Sequence, residues 1–173
     1  MMLPKEAELL GVNSDELQIK GSGAHTVVRL NTDVCRDLVA SRANTSGGTS
    51  PDRVYLILEN IRGTYDPTIL NVYINVPEDA SQGDHHNLLA GSVGLYGLRR
   101  ASIQHDEAGG LGLTFVLDIT RILLEQPAAE SPYANEIRVS IVPQRQLPDP
   151  ADLVVGRVSI FRQRGTHADG RRH

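Results

Sequence analysis

Six histidines, His25, His85, His86, His105, His167 and His173, are the side chains here best suited to metal chemistry. Imidazole suits copper and zinc, and a coupled dicopper centre takes the same number of rings. Helical ligands of that kind stand at i and i+4, so that two rings face one ion. No histidine pair has that spacing, and no long helical pattern exists to carry one. An autonomous dicopper centre is not expected. The one local cluster is "DHH", in which Asp84, His85 and His86 offer a carboxylate and two imidazoles. His85 and His86 are the metal candidates on this chain. The simpler reading is a solvated loop whose neighbouring side chains point apart, and His105 in "QHDEAGG" is read in the same way.

For covalent chemistry the chain offers Cys35 and Ser92. A nucleophile needs a base and a positioned acid. Ser92 lies in a strand-like stretch with no nucleophile-elbow signature around it. Asp118, closing "FVLD", reads as a turn or cap residue. No catalytic residue is assigned. "GSGAH" (21–25) and "EAGGLGL" (107–113) are rich in glycine, but neither leads from a strand into a helix, as a phosphate cradle must. Both read as hairpin turns. The single cysteine excludes an internal disulfide and a thiolate cluster.

The elements that would hold these residues are strands. "LNVYINVPED" places Leu70, Val72 and Ile74 on one face and Asn71, Tyr73 and Asn75 on the other, and Pro77 ends the alternation. "RVYLILEN" (53–60) is apolar on both faces and is expected at the centre of a sheet. Further strands are expected at 25–30, 69–75, 90–98, 113–120, 135–143 and 153–163, with a bulge at Gly156. "RILLEQ" is a short helix or turn closed by Pro127, and 31–42 is ambiguous, with Asp33 able to cap a helix. "AELLG" reads as a helical turn ended by Gly11. About seven or eight short strands with turn signals between them predict an all-β, antiparallel, jelly-roll-like sandwich with little helix. Residues 1–24 read as an N-terminal extension and 25–163 as the sandwich. Residues 164–173 read as a disordered basic tail, whose arginines, with Arg162, could hold an acidic partner.

The balance of 40% hydrophobic and 22% charged residues is that of a globular domain. A net charge of −4 gives no pull toward nucleic acid or anionic membrane. Aromatics at 4%, with no Trp, count against a stacking platform for sugars or single strands. The first residues lack the basic start and apolar run of a signal peptide, so a soluble, cytoplasmic protein is expected, with export alongside a partner left open. No stretch is apolar enough to span a bilayer.

One resemblance carries the reading further. "RVYLILENIRG", then "LNVYINVPED", then "LLAGSVGLYGLRRAS" resembles, in order and spacing, the C-terminal domain of tyrosinases and plant polyphenol oxidases. "LTFVLDITRIL", "IRVSIVP" and "VVGRVSIFR" extend the similarity, which covers about residues 25 to 163. It implies a β-sandwich that lies over the dicopper site of an oxidase and keeps it latent. The family's copper ligands have no counterpart among these residues. The resemblance therefore implies a non-catalytic accessory or shielding domain, with no cofactor of its own, whose partner is a tyrosinase-like dicopper oxidase that carries the copper. Residues 76–89, the longest polar loop between two strands, would supply the contact through Asp84, His85 and His86. Two other readings stand beside it. One is a small metal-binding protein using His85 and His86. The other is a stand-alone sandwich that self-assembles, as a homo-oligomer, through an exposed edge strand.

Overall fold

The computed structural model describes residues 7–31, 33, 52–64, 69–76, 86–102, 112–125, 136–147 and 153–165. Among them are nine strands: β1 (Ala7–Asn13), β2 (Leu17–Ile19), β3 (Ala24–Arg29), β4 (Arg53–Arg62), β5 (Ile69–Ile74), β6 (Leu89–Gly94), β7 (Leu113–Asp118), β8 (Glu136–Pro143) and β9 (Leu153–Gln163). Two short helices join them, α1 (Leu98–Ser102) and α2 (Thr120–Glu125). All strand pairs are antiparallel. One sheet runs β1-β9-β4-β7, with β2 also on β9, and the other runs β3-β8-β5-β6. The expected all-β antiparallel sandwich is what forms.

Alternation builds the core. Val54, Leu56 and Leu58 of β4 and Val158 and Ile160 of β9 point inward from the first sheet. Leu70, Val72 and Ile74 of β5 meet them from the second, with Ile137, Val139 and Ile141 of β8. β4 has neighbours on both sides, as its two apolar faces implied.

On one flank the two sheets are stitched together. The Leu10 carbonyl accepts the N–H of Asn31, and Asn13 Nδ2 donates to Thr26 Oγ1 at 2.9 Å. Gly11 bridges Leu30 there, and a Cβ at position 11 would run into the Arg29 carbonyl. Gly11 is thus a point of close approach between strands, not the end of a helical turn. Residues 7–24 belong to the sandwich instead of forming an extension. A register shift between Leu9 and Gly11 breaks the alternation by which β1 would have been read.

The bulge expected at Gly156 falls on the neighbouring strand β4 instead, while a change of face is shared between the two strands. Inward residues change parity in both at one rung: Leu58 and Val158 lie before it, Ile61 and Val155 after it. Pairing between β4 and β9 stays in step through this point, and the register shift falls between β4 and β7. Asn60, at φ 56°, makes the swivel. Its side chain lies over Gly156, where a Cβ would stand 2.7 Å from Asn60 Nδ2.

Two other expectations change in detail. "GSGAH" is a tight turn, closed by Gly23 N–H on the Lys20 carbonyl, but it leads from β2 in one sheet to β3 in the other. The strand expected over 90–98 ends at Gly94, and the chain then turns into α1. "RILLEQ", expected as a short helix or turn, does begin within helix α2. Of the ambiguous stretch 31–42 only Asn31 and Asp33 are described. Asn31 Oδ1 accepts the N–H of Asp33 at 3.1 Å.

Candidate functional site

The loop expected to make the contact is anchored at both ends. β5 closes at Asn75, whose φ of 53° turns the chain out of the sheet. Its N–H donates to the Arg138 carbonyl at 2.9 Å, and Arg138 N–H donates back to Asn75 Oδ1 at 2.8 Å. This reciprocal pair fixes the exit. Re-entry is a single 3-10 turn, His86–Leu88, with His86 and Asn87 exposed and Leu88 packed against the core. Asp84 and His85 lie outside the described residues. No group of three or more His, Cys, Asp or Glu that could hold a metal ion exists among the described residues.

Other candidate side chains are placed apart. His25 is exposed on β3, directly opposite Ser140. Ser92 stands on β6, and its Oγ donates to Asn71 Oδ1 across the strand pair at 2.7 Å. Asp118 does cap: its Oδ1 accepts the N–H of Thr120 at the start of α2, and its Oδ2 meets Arg53 Nη1 at 3.4 Å. Cys35, His105, His167 and His173 fall outside the described residues.

Arg162, expected to act with the tail, is instead part of the sandwich. It follows Val158 and Ile160 on the inward side of β9 and is only 5% exposed. Its Nε and Nη2 donate to Asp52 Oδ2 at 2.7 and 2.6 Å, while Asp52 Oδ1 accepts the N–H of Gly165. Arg164 meets Glu8 at 3.6 Å. These two arginines are held by the chain's own acids.

The faces of the sandwich differ. On the outer face of the first sheet, Ile57 and its partner Ser159 are 2% and 0% exposed, so that face is closed at its middle. The outer face of the second sheet is open: His25, Val27, Arg29, Ser92, Glu136 and Arg138 are all exposed there. β6, at its edge, runs from the His86 turn to a second projecting turn at Leu95–Leu98.

Fold and surface together define a two-sheet β-domain with one open face, whose described residues assemble no metal or nucleophile site. The chain belongs to the family described as a domain of unknown function, DUF7868, which it matches over residues 6–163. Tyrosinase HcTyr1 from Hahella sp. (strain CCB-MM4) is 28% identical over 120 residues, which are 69% of this chain and 25% of that tyrosinase. Among solved structures, recombinantly expressed latent aurone synthase, a polyphenol oxidase, matches at a TM-score of 0.50 and 14% identity, over 87% of this chain and 26% of that one. Latent apple tyrosinase matches at a TM-score of 0.45 and 20% identity, over 81% and 26%. The resemblance to the C-terminal domain of tyrosinases and polyphenol oxidases therefore holds. This chain spans about a quarter of the length of such relatives.

Proposed function

We propose that this domain is a non-catalytic accessory to a tyrosinase-like dicopper oxidase, covering its active site and restraining its activity. The observation that carries this reading is the match to one quarter of a bacterial tyrosinase. The latent state named for the aurone synthase that shares the fold agrees with it. The open face of the second sheet offers a surface for docking. The loop between Asn75 and His86, with Asp84, His85 and His86, is the segment proposed to reach the mouth of the copper site. It is polar and tethered at both ends, so it can present a side chain without breaking a ladder. Copper belongs to the partner.

The test uses the Hahella tyrosinase with the segment matching this chain removed. Adding the purified domain is expected to slow its diphenol oxidation in a saturable way. Replacing Asp84, His85 and His86 together with alanine should weaken that effect while leaving the melting temperature unchanged. A rate indifferent to the domain at any concentration would overturn the proposal.

A further inference from the structure

The turn after β6 has a construction that neither the core nor the capping network explains. Leu95 and Leu98 are fully buried, and between them Tyr96 is 70% exposed, the most exposed large hydrophobic side chain among the described residues. Leu98 N–H donates to the Leu95 carbonyl at 3.2 Å, and Gly97 sits at φ 77°. That is a type II turn with glycine at the position that demands positive φ, and with Tyr96 at its projecting corner. The ring is not loose. It lies against the backbone at Gly94, where a Cβ would stand 3.1 Å from Tyr96 Cε2. Two buried leucines, a hydrogen-bonded turn and a glycine bed therefore hold an aromatic ring out in water.

A ring held in this way has already lost much of the freedom that binding would otherwise remove. Arg99 and Arg100, both exposed, follow on α1. α1 itself is fixed: Ser102 Oγ donates to the Leu98 carbonyl and accepts the N–H of Gly63, and the Ala101 carbonyl accepts Gly112 N–H. Tyr and Arg are the side chains most enriched at the energetic centres of interfaces. On a chain of net charge −4, this turn is a local concentration of positive charge beside an apolar ring.

We infer that the Tyr96 turn is an anchor of the interface, taken by an apolar pocket rimmed with carboxylates on the catalytic part of the oxidase. The inference rests on the accessory-domain reading and goes beyond it by naming a second contact, at the opposite end of β6 from the histidine loop. A six-residue strand separates the two by roughly 20 Å. A partner lying along the edge of the second sheet meets both.

The experiment measures binding of the domain to the same truncated Hahella tyrosinase by calorimetry at two salt concentrations. Tyr96→Ala is expected to weaken the dissociation constant about thirtyfold, as loss of a hot spot does. Tyr96→Phe keeps the ring and should bind within about threefold of the parent, by the same scale. Arg99→Glu with Arg100→Glu should weaken binding about tenfold or more and flatten its salt dependence. Tyr96 is exposed, so melting should match the parent in both of its variants, and the melt of the arginine variant is measured alongside because Arg99 has a contact within the chain. Parent binding retained by Tyr96→Ala and by the double arginine variant would overturn this inference and leave the accessory role standing. Failure of the unaltered domain to bind would overturn both.

Discussion

Gly156 and Asn60 face each other on one rung of β4 and β9, and each explains the other. Gly156 is not among the glycines with positive φ, Gly23, Gly97 and Gly112. What position 156 needs is space, because the Asn60 side chain occupies the place of its Cβ. Gly156→Ala is expected to cost about 1–3 kcal/mol, as overpacking does. Asn60→Gly removes the obstruction and suits the left-handed backbone, so Gly156→Ala in that background should cost less than about 1 kcal/mol. A denaturation cycle over the four proteins measures the coupling, and strictly additive costs would show that crowding is not why glycine is there. Arg162 gives the second test at this scale. Arg162→Met strands a largely buried Asp52 carboxylate and should cost about 3–5 kcal/mol in urea unfolding. A loss within error of zero would mean that solvent already screens the pair. The sequence contained a signal for Arg162, since it falls in phase with Val158 and Ile160 on the inward side. The neighbouring "RQRG" drew it into the tail. Asn60 carried no such signal, because its role depends on which glycine lies across the ladder.

At the scale of elements, legibility followed the regularity of alternation. β5 and β8 alternate without a break and are legible in the sequence, as is β4, whose two apolar faces mark it as a central strand. β1 was missed because the shift at Leu9–Gly11 scrambles its period, and only Leu10 of that strand is deeply buried. β2, at three residues, is too short to show any period. The expected end of β6 overran into a turn because "SVGLYGL" continues the apolar pattern, while the change of direction is decided by the hydrogen bond from Leu98 to Leu95. The element that bears the most on stability is β4. Leu56 is fully buried and paired on both sides, to Ile160 and to Leu117. Leu56→Asp places an uncompensated charge in the core, a cost of several kcal/mol and of the order of a domain's whole stability. The variant should lack a cooperative thermal transition by circular dichroism. A melt like the parent's would mean that the inward face of the first sheet had been wrongly identified.

For the molecule as a whole, the described residues assemble no group of metal-holding side chains of the kind that copper chemistry requires. Its relatives include a tyrosinase, and it spans a quarter of that protein. Oxidation of a diphenol at a coupled copper pair needs several imidazoles converging on each ion, which helices provide by presenting histidines one turn apart. The two helices described have five and six residues and contain no histidine. Of the described histidines, His25 sits on β3, against β8 at one edge of the second sheet, and His86 leads into β6 at the other edge. The purified domain, alone or with added copper, should therefore oxidise a diphenol no faster than the same concentration of free copper in an oxygen-electrode assay. The loop histidines bear on the design of that assay. Were Asp84, His85 and His86 to take up a copper ion, the free-ion background would fall without turnover being created. Oxygen uptake in the presence of the domain should thus equal or fall below that of the copper control. Uptake that exceeds the control and saturates with diphenol would mean that this β-sandwich carries a copper site of its own, and the accessory role would have to be abandoned.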